Sequence, residues 1–254
     1  MPDLCLAAAQ SASVAGDLAA NLRTHLEFIA AAADAGVDLL LFPELSLTGY
    51  EPSLAAALAL DPADARLLPL RAACQKAGLT AIVGAPVRSP AGLHIGALIL
   101  GADGGCRVHT KQYLHPGEAP PFVAGSGGAL LDLEGLQGAL AICADSNHAA
   151  HADAARARGA DLYLVSAVIG PTGYAADSAR LVGHARRLGV PVLLANHGAP
   201  TGGYACVGRS AFWLADGHCL VAAPGDGAQL VVVRRQGTAW QGENLSLALS
   251  KRTG

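Results

Sequence analysis

The sequence predicts a layered α/β fold in which helices cover two packed sheets. Three observations carry this reading. Apolar residues make up 52% of the 254 positions and charged ones only 15%, enough for a sizeable buried core. Segments with strand character outnumber helical ones and several are joined by hairpin turns, which argues against a purely parallel βαβ array. The helical segments fall into two pairs, one in each half of the chain, as expected if each pair covers one sheet. No linker, low-complexity tract or repeat interrupts residues 1–254, so a single domain is expected.

The elements follow in order. Leu4 to Ala9 is continuously apolar and reads as a buried strand. Asp17 is an N-cap for a helix through Ala33, with Leu22, Leu26 and Ile29 on one face and Gly36 as the stop. Val37 to Phe42 is a second buried strand. Asp61-Pro62 opens a second helix that ends at Gly78, and Leu79 to Val83 is a strand again. His94–Leu100 and Cys106–Thr110 flank Ala102-Asp103-Gly104-Gly105, a hairpin signal, and Ala129–Leu133 and Gly138–Ile142 flank Glu134-Gly135, another. A helix over His148–Arg158, a strand over Leu162–Val165, a helix near Asp177–Leu188 and a strand over Val190–Ala195 come next. Strands near Ser210–Leu214, Cys219–Ala223 and Gln229–Val233 complete the pattern.

Composition narrows the function. The net charge is −3 and arginines are scattered, so neither nucleic acid nor an anionic membrane is an expected partner. The start, Met1-Pro2-Asp3-Leu4, has no basic region typical of a signal peptide, and no apolar run reaches the ~18–20 residues of a membrane helix. Cysteines at 5, 74, 106, 143, 206 and 219 form no CxxC and read as the reduced thiols of a cytoplasmic protein. Lysine stands only at 76, 111 and 251, and glutamate occurs only six times against fourteen aspartates. Where either persists, a specific need becomes more probable.

Three segments carry candidate chemistry. Leu39-Leu40-Leu41-Phe42-Pro43-Glu44 runs a buried strand into a carboxylate, at the kind of strand end that presents catalytic groups. His109-Thr110-Lys111-Gln112-Tyr113 ends a strand on a rare lysine, and a rare Glu118 follows in a Pro-Gly turn. Gly138-Ala139-Leu140-Ala141-Ile142-Cys143 closes an apolar strand on a thiol before a helix. Backbone N–H groups at such a turn lower a thiol's pKa and can hold an oxyanion. The other cysteines read as packed core residues.

Taken together and in this order, the segments resemble the nitrilase superfamily, the carbon–nitrogen hydrolases. Phe42-Pro43-Glu44, Thr110-Lys111-Gln112-Tyr113 with Glu118, and Ile142-Cys143-Ala144-Asp145 match its pattern, as do Gly159-Ala160-Asp161, Ala195-Asn196-His197-Gly198 and Gly208-Arg209-Ser210. The resemblance runs from about Asp3 to Arg234. It implies a four-layer αββα sandwich, a homodimer or higher homo-oligomer, and hydrolysis of a non-peptide carbon–nitrogen bond without metal or organic cofactor. In the implied chemistry Cys143 is the nucleophile, Glu44 the base, and Lys111 the cation facing the oxyanion. The Ala144 N–H serves as a second donor and Glu118 as a supporting carboxylate. Tyr50, Tyr113, His148 and Asn196 are candidate pocket residues. A small-molecule amide is the first expectation for the substrate and a nitrile the second. A pseudoenzyme that binds a small ligand or partner protein is the alternative from another class.

One stretch departs from the family. Members commonly continue after the cysteine with an aromatic, Asp, then Phe-Pro-Glu and an Arg. Here Ala149-Ala150 replace Pro-Glu and Asp153 stands at the Arg position, so the wall beside the nucleophile differs and substrates do not transfer. His148 and His151 share a helical face at i,i+3. No second ligand cluster at a recognised spacing accompanies them, so they read as a hydrogen-bonded pair at the pocket rim rather than a metal site. Pro200-Thr201-Gly202-Gly203-Tyr204 is a loop that could border the pocket. Gly125-Ser126-Gly127-Gly128 precedes a strand and is not a phosphate loop, and no GxSxG elbow occurs.

Overall fold

The computed structural model describes residues 3–250. The chain begins with β1 (Leu4–Gln10), α1 (Leu18–Asp34) and β2 (Leu39–Leu41). Then follow the short α2 (Ala55–Leu58), α3 (Leu68–Ala77), β3 (Thr80–Ser89), β4 (Gly92–Leu100) and β5 (Cys106–Thr110). The second half holds β6 (Leu131–Leu133), β7 (Leu136–Ile142), α4 (Ala149–Ala157), β8 (Leu162–Ala167), α5 (Pro171–Leu188) and β9 (Val192–Asn196). It ends with β10 (Ala211–Trp213), β11 (Cys219–Ala222), β12 (Gln229–Gln236) and β13 (Ala239–Ser246).

These strands form a seven-stranded sheet, ordered β13-β12-β1-β2-β3-β4-β5, and a six-stranded sheet, ordered β11-β10-β9-β8-β7-β6. Strand periodicity sets the layers, because alternate side chains point to opposite faces. Leu4, Leu6 and Ala8 of β1 join Leu140, Ile142, Leu164 and Phe212 in a core between the two sheets. Cys5, Ala7 and Ala9 pack instead with Phe28 and Ile29 of α1 and Leu70 and Cys74 of α3. Ala139 and Ala141 of β7 pack with Ala152 and Ala155 of α4 and Leu181 and Ala185 of α5. The result is helices, sheet, sheet, helices: the αββα sandwich that the resemblance implies. Among the described residues no helix is long and apolar enough to cross a membrane.

Both hairpins form. Leu100 pairs with Cys106, and Leu133 pairs with Leu136 across Glu134 and Gly135, both at positive φ (53° and 84°). Asp17 caps α1, its carboxylate accepting the Ala20 N–H at 2.9 Å. Elsewhere the structure corrects the sequence reading. The second helix begins at Leu68 rather than at Asp61-Pro62, because Asp61 closes its own turn onto Ala63 and Asp64 caps a single 3₁₀ turn over Ala65–Leu67. α5 begins at Pro171, six residues before Asp177, with proline in the first turn where its missing N–H is harmless. β3 continues beyond Val83 through Gly84 and Pro86 because β4 pairs with it as far as Ser89, and Pro86 is tolerated because β2 pairing has ended at Ile82. β13 is an additional edge strand on β12, unpredicted because its sequence is largely polar.

Candidate active site

The ends of β2, β5 and β7 converge, and each carries one functional side chain. Phe42-Pro43-Glu44 leaves β2 into a tight turn in which Leu45 takes φ 52°. Ser46 N–H returns to the Pro43 carbonyl, and His197 Nε2–H donates to the Glu44 carbonyl at 2.7 Å. The turn lies against β3: Leu47 N–H donates to the Gly84 carbonyl at 2.9 Å, and Gly84 N–H donates to Ser46 Oγ at 3.1 Å. Lys111 follows β5 directly and is anchored by its N–H on the Ile95 carbonyl. Cys143 follows β7 with φ 46°, a left-handed conformation uncommon outside glycine and concentrated at functional turns. A short 3₁₀ segment over Cys143–Asn147 intervenes before α4, which lies within the His148–Arg158 helix expected from sequence.

The side chains meet in a dry cluster. Lys111 Nζ lies 2.6 Å from Glu44 Oε1 and 2.6 Å from Glu118 Oε1, and all three residues are at most 1% exposed. Tyr50 donates its hydroxyl to Glu118 Oε1 at 2.6 Å, and the His115 N–H donates to Glu118 Oε2 at 2.7 Å. Glu44 Oε2 has no hydrogen-bond partner among the described residues, while the nearby Cys143 thiol favours the carboxylate. Burial pushes the Glu44 carboxyl above the ordinary range and Glu118 adds to this, against the pull of Lys111. Burial also opposes the Lys111 charge, but the Glu44 and Glu118 carboxylates more than offset it and hold the ammonium. The Cys143 thiol is pushed up by burial and then by Glu44, with Lys111 in opposition. The Cys143 side chain therefore rests as a neutral thiol.

Asp145 ties the parts together. Its Oδ1 accepts the N–H groups of Gln112 and Tyr113 at 2.9 and 2.8 Å, and its Oδ2 accepts that of Ile142 at 3.0 Å. One buried carboxylate thus fixes the Lys111 segment to the Cys143 turn. Beside the cluster lies a cavity of about 40 Å³ lined by Glu44, Tyr50, His115, Cys143, Val168 and Tyr204. A carboxylate, an ammonium and a thiol in this arrangement suit attack on an acyl carbon with proton transfer and oxyanion stabilisation.

The sequence pattern of carbon–nitrogen hydrolases matches residues 5–241. The chain belongs to the carbon–nitrogen hydrolase family. Solved structures of one enzyme, the NitN amidase of Nesterenkonia sp. AN1, support the assignment. Its native form aligns with TM-score 0.83 at 28% identity over 90% of this chain and 91% of that chain. A glutamate-to-leucine variant carrying the acetamide moiety of fluoroacetamide on its active-site cysteine aligns with TM-score 0.84 at 28% identity, covering 91% and 90%. A double variant in complex with acrylamide aligns with TM-score 0.85 at 27% identity over 93% of each chain. No curated protein is similar enough to this hydrolase to count as a match.

Within this carbon–nitrogen hydrolase, the structure brings Glu44, Lys111, Cys143 and Glu118 together, with Ala144 buried in the turn beside the thiol. Tyr50 lines the cavity; Tyr113, His148 and Asn196 do not. Tyr113 and exposed His148 stack on each other, with centroids 3.9 Å apart. Asn196 is buried and clamps the segment after β8, bonding both the N–H and the carbonyl of Ile169 and the Gly208 carbonyl. His148 and His151 are not a bonded pair: His151 Nδ1 meets the Tyr163 hydroxyl at 2.9 Å. The loop at Thr201–Tyr204 does border the cavity, through Tyr204, and Thr201 Oγ1 accepts the Tyr50 N–H. His115 and Val168 were not singled out as pocket residues from sequence, and Tyr204 entered only as part of its loop. Their one shared signal is position, in loops that leave strand ends.

Proposed function

We propose that this hydrolase cleaves short-chain carboxamides through a thioester on Cys143. The observation that carries the proposal is Glu44: Lys111 holds one of its oxygens and the other is left beside the thiol. In the attack, the Cys143 proton passes to Glu44 Oε2 as sulfur bonds to the amide carbon. Lys111 has three N–H donors, two of them engaged by Glu44 and Glu118, so the third is available to the oxyanion, with the Ala144 N–H as second donor. Collapse of the tetrahedral intermediate breaks the carbon–nitrogen bond, and Glu44 returns the proton to the departing ammonia. Water then attacks the thioester with Glu44 again as base, releasing the acid and restoring the thiol. Glu118, held by Tyr50 and the His115 N–H, keeps the ammonium in place.

Two observations support a small amide. The cavity of about 40 Å³ has room for no more than about three waters, which limits the acyl chain. The structurally similar amidase has also been captured with butyramide. The test is ammonia release from two- to four-carbon amides and the matching nitriles, with Cys143→Ala as control. Amides should be turned over and the variant should be inactive. Faster release from nitriles, or activity in Cys143→Ala, would overturn the reading.

A further inference from the structure

Apart from the residues that line the cavity, three polar side chains are buried together. His109 from β5 is 2% exposed, Asp145 is fully buried and His151 from α4 is 4% exposed. One ligand atom from each lies within 4.8 Å of the others, and His151 Nε2 is 4.0 Å from Asp145 Oδ2. Neither ring nitrogen of His109 and not the Nε2 of His151 has a hydrogen-bond partner among the described residues. An unmet buried donor or acceptor costs ~1–3 kcal/mol, and an ion bound through one His109 nitrogen and His151 Nε2 would answer two of the three.

We propose that His109, Asp145 and His151 form a binding site for a divalent transition-metal ion of the zinc and cobalt class. The donor chemistry fits. Two imidazoles and a carboxylate are a recognised open ligand set, completed by water or another oxygen donor. Asp145 Oδ2 accepts only one backbone N–H, leaving a lone pair for the ion. When Nδ1–H of His151 donates to the Tyr163 hydroxyl, Nε2 carries the free lone pair, the arrangement by which outer partners orient metal-bound histidines. Ligand atoms in a tetrahedral site stand about 3.4 Å apart, so side-chain rotations must close the present spacing by ~1 Å. Tyr113, stacked on exposed His148 and edge-on to His151, links the cluster to the surface. The ligands come from β5, the nucleophile turn and α4, so no sequence spacing encodes the set. A bound ion would clamp the segment bearing Lys111 to the turn bearing Cys143.

The test uses full-length Cys143→Ala protein, which removes the active-site thiol as a competing ligand. After chelator treatment it is titrated with cobalt chloride and followed by visible absorption, metal content and thermal melting. The expected result is one cobalt per chain with ligand-field bands and no sulfur-to-cobalt charge-transfer band. At roughly one hundred times the Kd, the melting temperature should rise by about 5–10 °C. His109→Gln and His151→Gln, on separate elements, should each weaken binding by about tenfold or more and abolish the melting shift, while His148→Ala should bind normally. Circular dichroism identifies any variant that fails to fold, and the remaining histidine variant then decides. Absence of binding at micromolar cobalt would overturn the proposal. So would a sulfur charge-transfer band, binding unchanged in a folded histidine variant, or loss of binding in His148→Ala.

Discussion

Gly84→Ala places one methyl group where the Glu44 turn crosses β3. The added Cβ would stand 2.2 Å from the Leu45 nitrogen, 2.7 Å from the Pro43 carbonyl oxygen and 2.9 Å from the Glu44 carbonyl carbon. These are backbone atoms and cannot rotate away, so the turn must move by at least ~1 Å to restore ordinary contact. Overpacking of this kind costs ~1–3 kcal/mol of stability. The larger effect is on catalysis. Glu44 is held by Lys111 at 2.6 Å and its carbonyl by His197 at 2.7 Å, so the shift acts on the carboxylate proposed as the base. A displacement near 1 Å typically costs ~10²-fold in rate. The assay pairs ammonia release from propionamide with urea denaturation of the same preparations. Gly183→Ala is the control: it lies within α5 with nothing within 4 Å of its added Cβ and should stabilise the helix by about 0.5–1 kcal/mol at full activity. Wild-type turnover and stability in Gly84→Ala would refute the claim that this crossing positions the base.

Other expectations follow from the same geometry. Protonated Glu44 cannot accept the thiol proton and burial raises its pKa, so kcat/KM should climb with pH along a limb above pH 4.5; a limb at or below that value would count against it. Lys111 is held protonated above its ordinary 10.5, so no alkaline fall is expected below about pH 10. His25 and His197 are buried neutral, each lowered from 6.5 to about 4, chiefly by burial. The unfolded chain binds protons there before the native one does. Their contribution to stability is therefore present above pH 6.5 and lost toward pH 4, at ~1.4 kcal/mol per pH unit each. Urea titrations across that range should show the loss, with a shallower slope in His197→Gln. Asp145→Asn turns an amide NH₂ toward either the Ile142 N–H or the Gln112 and Tyr113 N–H pair, so it should destabilise by ~1–3 kcal/mol and slow alkylation of Cys143 by iodoacetamide.

That Glu44, Lys111 and Cys143 would come together was legible because each closes an apolar strand, and because lysine and glutamate are scarce in this sequence. The three cores were implicit in strand alternation, and Asp17 announced the start of α1 through its capping chemistry. What was hidden depends either on competing local turns or on contacts remote in sequence. Leu68 rather than Pro62 opens α3 because Asp61 and Asp64 spend their carboxylates on local turns. β13 exists because β12 offers an open edge, not because its own residues alternate. Tyr113 and His148 looked like pocket residues from their nearness to Lys111 and Cys143, yet they turn to each other. The wall residues Val168 and Tyr204 are brought to Cys143 only when β8 and the loop after β9 are in place.

The tightness of the cavity has a kinetic corollary. Glu44, Tyr50 and Cys143 form a floor fixed by hydrogen bonds, whereas Tyr204 is 41% exposed and rests on Tyr50 only through an edge contact. A substrate longer than this cavity would press on the Tyr204 ring or the His115 side chain. Discrimination by acyl length would then fall at this threshold, as a rate of displacement. Exchanging Tyr204 for a smaller residue would alter which amides enter while leaving the machinery that cleaves them untouched.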